Sequence, residues 1–224
     1  MKNSEFIPAK ESKWFIALFD RYVRLLFWRR FKNVWVQQGY QPANDSKSIY
    51  YINHSSWWDG LIPLLLNQKI FHQNARAMME DKQLRQHSFF KKIGAFSVNL
   101  ENPRAVIKSL RYAVDSFERP NSSLYIFPEG KIVPFSTKRP CFKKGLAWIA
   151  QKSPDLDVVP IGVYIHTAGS DKPELFLKIG KKVTFKSSDN PEELNLYFEH
   201  KLGELLEELV RDAHSNSETF SRLI

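Results

Sequence analysis

Short apolar runs alternate with segments of helical periodicity from residue 48 to the end of the chain. This alternation is typical of α/β proteins, in which helices pack against a central sheet. We predict strands at residues 48–53, 95–100, 123–127, 158–165 and 175–185. We predict helices at residues 58–66, 103–117, 144–151 and 192–213. Pro160 has no backbone N–H, so its position in the fourth run indicates a sheet edge or the end of a strand.

A further helix is predicted at residues 13–36, ahead of the alternating region. Its apolar residues recur at helical spacing, whereas its arginines lie largely off that stripe. Two interpretations are open: the helix lies in the surface of an anionic membrane, or it docks on the core of the domain. The many aromatic residues and arginines in this short segment favour the membrane. The residues expected to contact it are Trp14, Phe15, Leu18, Phe19, Tyr22, Leu26 and Trp28.

The composition is that of a folded protein with one domain and a helical extension. The chain has 224 residues, of which 43% are hydrophobic, so it can form a substantial core. We divide it into an N-terminal amphipathic helical segment, residues 1–40, and a single domain, residues 41–224. No apolar run approaches the roughly 18 to 20 residues that a helix needs to cross a bilayer.

The charge is basic and unevenly distributed. A formal net charge of +9 at pH 7 favours a polyanionic partner, either a nucleic acid or an anionic membrane surface. Residues 131–152 include six basic residues and no acidic one. Few aromatic residues interrupt this stretch for stacking on bases, and no recognised nucleic-acid motif occurs, so we expect no nucleic-acid partner.

The number and spacing of the cysteines and histidines argue against a disulfide and a metal site. Cys141 is the single cysteine, which excludes an intrachain disulfide. We expect a packed thiol there rather than a covalent carrier of an acyl group. The histidines lack the paired spacing of zinc ligands, so we expect no metal site.

The strongest candidate for catalysis is the segment that follows the strand at residues 48–53. His54 stands at the end of this strand, and Asp59 follows five residues later in the next helical turn. A carboxylate against one ring nitrogen leaves the other nitrogen free to act as a general base. The spacing alone is weak, because His166 and Asp171 repeat it in a turn-rich segment. A histidine at the start of a helix, with Ser55 or Ser56 as N-cap, is the structural alternative.

Two other segments carry candidate binding residues at strand ends. Glu129 and Gly130 follow the run at residues 123–127. If the strands are parallel, Glu129 lies at the same edge of the sheet as His54. A solvated glutamate in a turn is the alternative. Arg104 falls in the first turn of a predicted helix, where free backbone amides favour an anion.

Taken in order, these segments resemble the glycerolipid acyltransferase family that includes lysophosphatidic acid acyltransferases. Residues 53–59 resemble its Asn-His-x-x-x-x-Asp signature, and residues 127–130 its Phe-Pro-Glu-Gly block. Residues 159–161 resemble its Val-Pro-Ile strand, and residues 94–104 occupy the place of its second block. The resemblance implies a glycerol-3-phosphate acyltransferase-like α/β domain with a mostly parallel or mixed sheet. It also implies acyl transfer from a thioester to a hydroxyl, without a covalent intermediate and without a further cofactor.

Carried over residue by residue, the resemblance implies that His54 takes the hydroxyl proton and that Asp59 orients the imidazole. The thioester donor is acyl-CoA or an acyl-carrier protein, and the acceptor is a lipid at a membrane surface. We expect the protein at the cytoplasmic face of that membrane, as a peripheral or monotopic protein. The residues expected to bind the acceptor are Asn53, Arg104, Phe127, Pro128, Glu129, Gly130, Lys131 and Lys143.

Two departures from the family pattern concern the acceptor. Lys131 and Ile132 follow residues 127–130, where family members with phosphorylated acceptors carry an arginine. Near Asn99, where the second block has an arginine, Arg104 is the nearest substitute. A lysophospholipid such as 1-acylglycerol-3-phosphate is the favoured acceptor. The alternative acceptor is a glycolipid or carotenoid glycoside. The alternative function is that of a catalytically silent binder of anionic membranes.

Overall fold

The structure, a computed structural model, describes residues 5–167, 170–186, 190–215 and 217–224. The strands are β1 Val34–Gln38, β2 Ser48–Ile52, β3 Asn74–Glu80, β4 Ala95–Val98, β5 Ser122–Ile126, β6 Asp157–His166, β7 Glu174–Ile179 and β8 Ser221–Arg222. The helices are α1 Lys13–Arg30, α2 Ile62–Leu66, α3 Asp81–Gln86, α4 Pro103–Asp115, α5 Gly145–Lys152 and α6 Pro191–Ser215. The prediction of an α/β fold with a mixed central sheet is confirmed.

Within the described residues the strands form one sheet in the order β4-β3-β5-β2-β6-β7-β1-β8. The five strands from β4 to β6 in this order run parallel, whereas β6 pairs antiparallel with β7. β2, β3, β4, β5 and β6 therefore all end at one side of the sheet, which we call the carboxyl edge. In open α/β sheets this is the edge at which ligands bind.

Apolar clusters cover both faces of the sheet. α4, α5 and α6 pack on one face, and α1 and α2 pack on the other. β2 and β5 are buried along their whole length because helices cover both of their faces. These two strands carry the candidate active-site segments, so the site rests on the most deeply buried part of the fold.

Helix α1 is partly docked and partly exposed. Val23 and Phe27 are buried against the domain, and Phe15, Phe19 and Leu26 are half-buried. The large side chains exposed on α1 are Trp14, Leu18, Tyr22, Leu25 and Trp28. None of the described helices is both long enough and apolar enough to cross a membrane.

The predicted extent of the first helix is wrong after residue 30. The chain becomes extended at Phe31, and residues 34–38 form β1 with alternating burial. Val34 and Val36 are buried at every second position, as in a strand. Two such positions are too few to distinguish a strand from the end of a helix in the sequence alone. The sequence pattern predicts neither β3 nor α3; β3 is only half-buried and carries no clear apolar alternation.

The interpretation of Pro160 as a residue of an edge strand is also wrong. β6 lies between β2 and β7. The carbonyl of Pro160 accepts a 2.9 Å hydrogen bond from the amide of Gly180, just beyond the end of β7. Within a strand, the nitrogen and the carbonyl of one residue face the same neighbouring strand. The nitrogen of Pro160, which lacks a hydrogen, therefore faces a position where the β6–β7 hydrogen bonds have ended. Proline is tolerated there for that reason.

Gly94, just before β4, provides a test of the backbone packing at the start of that strand. Its φ is +100°, and a methyl carbon on it would lie 2.4 Å from the carbonyl oxygen of Ala75. We expect Gly94→Ala to lower the free energy of unfolding by at least about 2 kcal/mol, measured by urea denaturation. Gly60→Ala is the control, because no atom lies within 4 Å of the added carbon. Equal losses in the two variants would contradict this packing.

Candidate active site

The carboxylate of Asp59 is fully buried and is surrounded by hydrogen-bond donors. Its Oδ2 accepts from the backbone amides of Ser55, at 2.6 Å, and Ser56, at 2.7 Å. Its Oδ1 accepts from the Ser56 hydroxyl at 2.7 Å. Ser56 is the N-cap of the 3₁₀ turn Trp57–Leu61, so this is a capping arrangement that fixes the start of the turn.

The imidazole of His54 contacts the same carboxylate. Its Nδ1 lies 3.3 Å from Oδ2 of Asp59. An ionised carboxylate only accepts hydrogen bonds, so Nδ1 carries the proton and Nε2 keeps its lone pair. The His54 side chain is 19% exposed, whereas that of Asp59 is not exposed at all. The pair therefore joins a buried carboxylate to a partly exposed imidazole.

The second histidine and aspartate at this spacing form no such pair. Nδ1 of His166 lies 3.0 Å from the hydroxyl of Tyr164, and that hydroxyl also contacts His214. Asp171 accepts instead from the hydroxyl of its neighbour Ser170, at 3.3 Å. The context of the two spacings, rather than the spacing itself, distinguishes them.

Glu129 lies beside His54, because β5 and β2 are parallel neighbours. Its Oε2 accepts a 2.8 Å hydrogen bond from the backbone amide of His54. Burial raises the pKa of Glu129, and the charge of Asp59 adds to this, whereas the hydrogen bond from His54 lowers it. The carbonyl of His54 accepts from the amide of Val133 at 2.8 Å. The His54 backbone is thus held from both sides by the segment after β5, and no sequence motif marks Val133 for this contact.

The residues around Glu129 form a closed turn. The Phe127 ring lies against the His54 ring, with centroids 4.4 Å apart. The amide of Gly130 donates to the carbonyl of Phe127, and that of Lys143 donates to the carbonyl of Pro128 at 2.7 Å. Gly130 has a φ of +71°. A side chain on it would meet Leu100 and the aliphatic part of Lys143, each at 3.3 Å.

Asn53 is buried and makes structural contacts with β6. Its amide group donates to the carbonyl of Val163 at 3.0 Å and accepts from the amide of Val163 at 2.8 Å. Both polar atoms of the side chain are therefore engaged with backbone. This pairing holds the end of β2 immediately before His54.

The predicted cationic residues do not all lie together. Lys131 and Lys143 are exposed beside the turn at residues 127–130, and neither makes an ion pair with a described residue. Arg104 lies on α4 and lines a different cavity, together with Phe6 and Lys108. The backbone amide of Arg104 donates to the Asn102 side chain, so it is not free for an anion as the sequence suggested.

The expectation of a packed thiol is wrong. Cys141 is exposed, because it lies in the irregular segment between β5 and α5 rather than in a helix or strand. In the described part of the chain, no three side chains of His, Cys, Asp or Glu converge as a metal site would require.

Comparison with known proteins agrees with this geometry. The family model described as Acyltransferase matches residues 33–164, which is more than half of the chain. The chain belongs to the acyltransferase family. The protein is thus an acyltransferase enzyme, and the matched region contains His54, Asp59 and Glu129. Among curated protein sequences, none matches this chain significantly.

A solved structure of similar fold is that of the 1-acyl-sn-glycerophosphate acyltransferase PlsC from Thermotoga maritima. The TM-score is 0.62 at 23% sequence identity, and the match covers 88% of this chain and 81% of that one. At this identity the similarity concerns the fold. The structural match also covers residues outside 33–164, the range matched by the family model.

The raised pKa of Glu129 leads to a prediction about stability. A carboxyl group with a raised pKa stabilises the folded state while it is protonated, and this contribution is lost as the pH rises through the folded-state pKa. Glu129→Gln cannot ionise but keeps an oxygen that accepts from the His54 amide. We expect the melting temperature of the variant, relative to the parent, to increase as the pH rises from the ordinary value of 4.5 towards neutrality.

The matched control is Glu207→Gln, which changes an exposed glutamate on α6. Its melting temperature should follow that of the parent over the same pH range. A difference between Glu129→Gln and the parent that stays constant with pH would show that the buried carboxyl group does not titrate as described.

Proposed function

We propose that this enzyme moves a fatty acyl group from a thioester, acyl-CoA or acyl-carrier protein, to a hydroxyl of a lysophospholipid such as 1-acylglycerol-3-phosphate. The observation that carries the proposal is the contact of His54 with buried Asp59 at the carboxyl edge, beside Glu129. The similar fold of a 1-acyl-sn-glycerophosphate acyltransferase supports this class of acceptor.

In the proposed reaction, Nε2 of His54 takes the proton of the acceptor hydroxyl as its oxygen attacks the thioester carbonyl carbon. Asp59 keeps the ring in the required tautomer and stabilises the imidazolium that forms. The Phe127 ring against the imidazole adds a cation–π contact to that charged form. When the tetrahedral intermediate collapses, the carbon–sulfur bond breaks and the leaving thiolate takes the proton from His54. The products are an ester and a free thiol.

The proposed acceptor site lies at the turn after β5. Lys131 and Lys143 supply positive charge for a phosphate, and the aliphatic part of Lys143 lies over Gly130. Lysine binds a phosphate as a point charge, without the two-pronged geometry of arginine. Lys131 in place of the family arginine therefore keeps an uncharged lipid alcohol, such as a glycolipid or carotenoid glycoside, as the second candidate. Product analysis by mass spectrometry with each acceptor class distinguishes the two.

We further propose that α1 places the enzyme on the cytoplasmic face of an anionic membrane, as a peripheral or monotopic protein. Trp14 and Trp28 are 68% and 63% exposed on α1. Arg21, Arg29 and Arg30 are exposed on the same helix. Exposed aromatic rings with neighbouring arginines suit the boundary between lipid headgroups and acyl chains.

His54→Ala is the direct test of the catalytic proposal. We expect acyl transfer to fall by roughly 10²- to 10⁴-fold, because the general base is removed. His166→Ala is the matched control, since His166 also precedes an aspartate by five residues but contacts Tyr164 instead. Its turnover should equal that of the parent. Thiol release from an acyl thioester measures both, and circular dichroism checks the fold. Full activity of a folded His54→Ala variant would refute the proposed base.

Membrane binding is tested by replacing the exposed tryptophans of α1. We expect Trp14→Ser with Trp28→Ser to lower the partition coefficient on vesicles containing anionic lipid by at least about tenfold, because apolar burial in the bilayer is lost. Leu196→Ser, at an apolar residue 47% exposed on α6, is the control. Cosedimentation measures the bound fraction. Equal binding of the double variant and the parent would rule out α1 as the membrane contact.

A further inference from the structure

The ring of Trp58 lies between the catalytic pair and helix α1. Trp58 belongs to the 3₁₀ turn Trp57–Leu61, which contains Asp59 and which we call the Asp59 turn. Its ring contacts those of Phe27 and Phe31 edge-on, with centroids 5.7 and 5.6 Å apart. The rings of Phe27 and Phe31 are themselves 5.5 Å apart. Three aromatic rings from two separate segments of the chain therefore form one cluster.

The α1 side of this cluster is closely packed. Phe27 is fully buried in the last turn of α1, and Phe31 is almost fully buried at its C-cap. Both belong to the same apolar cluster as Leu61, which ends the Asp59 turn, and Ile62, which begins α2. Packed rings resist displacement, because any shift loses contacts on several sides. The end of α1 is therefore a firm support for the Asp59 turn.

The contact between Asp59 and His54 is sensitive to the position of this turn. Oδ2 of Asp59 accepts from the amides of Ser55 and Ser56 at 2.6 and 2.7 Å. The same oxygen lies 3.3 Å from Nδ1 of His54, which is the longest of the three contacts. A hydrogen bond near the upper limit of length is the first to be lost when the carboxylate moves. The geometry of the pair thus depends on how the Asp59 turn is held.

The imidazole and the carboxylate are held by different parts of the fold. The backbone of His54 is bound by Glu129 and Val133, which follow β5. Asp59 moves with a turn that packs on α1 through Trp58. Building on the proposed function, we propose that Trp58 is a positioning residue for the reaction, which packs the Asp59 turn on α1 and thereby keeps Asp59 in contact with Nδ1 of His54. Trp58 acts through Asp59 rather than on the substrate.

This inference gives α1 a second role besides the proposed membrane contact. Trp28 is exposed and belongs to that membrane contact, whereas Phe27 directly before it is buried against Trp58. Successive residues of a helix project about 100° apart, so one turn of α1 can serve both surfaces. The buried side of α1 is then part of the support of the active site.

The test compares Trp58→Ala with Trp58→Phe and with the control Phe71→Ala. Phe71 is buried in the same apolar cluster, and its ring stacks on Tyr50 of β2, with centroids 4.3 Å apart. The acceptor is soluble 1-hexanoylglycerol-3-phosphate, so that membrane binding does not enter the measurement.

In Trp58→Ala we expect kcat for thiol release to fall roughly 10- to 100-fold, because a displacement of about 1 Å in a catalytic group can cost 10²-fold. The KM for the acceptor should change by less than about twofold, since the substrate loses no contact. Trp58→Phe keeps a ring against α1 and should retain most of the kcat of the parent. Phe71→Ala should have the kcat of the parent, although truncation of either buried ring lowers the midpoint of urea denaturation.

Nitrogen-15 NMR of labelled histidine separates positioning from a general loss of stability. It reports which ring nitrogen of neutral His54 carries the proton. We expect the preference for Nδ1–H to be lost in Trp58→Ala. The preference should persist in Trp58→Phe and in Phe71→Ala.

A double-mutant cycle tests the link to α1. Phe31→Leu changes the same contact from the α1 side, and we expect it to lower kcat about threefold or more. In the Trp58→Ala background it should have little further effect, because the contact is already lost. If Trp58→Ala does not fold, kcat and the His54 tautomer of Phe31→Leu provide the same comparison with Phe71→Ala.

The outcomes separate this inference from the proposed function. If the parent transfers no acyl group to any acceptor, the proposed function fails, and the His54 tautomer in Trp58→Ala still decides the inference. An unchanged kcat or an unchanged tautomer in folded Trp58→Ala overturns the inference, as does an equal fall of kcat in Phe71→Ala. Independent effects of Phe31→Leu and Trp58→Ala on kcat also overturn it, because α1 would then not act through Trp58.

Discussion

The carboxylate of Asp59 is completely buried, and a buried charge costs several kcal/mol unless it is paired and hydrogen-bonded. Here the amides of Ser55 and Ser56 and the Ser56 hydroxyl satisfy it. These donors belong to the residues directly after His54, so satisfying the carboxylate also shapes the turn that leaves β2. The presentation of the imidazole depends on this constraint, because the same oxygen that organises the turn accepts from Nδ1.

A second set of contacts makes the site depend on the pairing of distant segments. Glu129 binds the amide of His54 and Val133 binds its carbonyl, while the Phe127 ring lies against the imidazole. All three residues follow β5, which is the parallel neighbour of β2. The fold thus shapes the site directly, because the sheet brings together two strand ends that are about 75 residues apart in the chain. Placing Glu129 there has an electrostatic cost, seen in its raised pKa.

Much of this arrangement could be predicted from local signals. The apolar runs that became β2 and β5, and the polar residues that end them, pointed to one edge of a parallel sheet. The role of Ser56 as N-cap is likewise a local pattern, and it coexists with the pairing of His54 and Asp59 rather than replacing it. The N-cap of the turn and the contact between His54 and Asp59 therefore occur together in this segment.

Long-range features were harder to predict. β1 takes its conformation from pairing with β7, which lies some 140 residues away, so a short run after α1 looked helical. Pro160 is tolerated inside the sheet only because β7 ends beside it. The bond from His54 to Glu129 spans 75 residues and has no local signature. The cavity on α4 depends on Phe6, which reaches it because the N-terminal segment follows β4.

The proposed mechanism requires that Asp59 fix the Nδ1–H tautomer of His54 and leave Nε2 as the base. Nitrogen-15 NMR of the folded enzyme with labelled histidine, assigned by comparison with a His54 variant, measures this directly. We expect a protonated Nδ1 and an unprotonated Nε2 for neutral His54, with this preference lost in Asp59→Ala. A neutral His54 that carries its proton on Nε2 would contradict it.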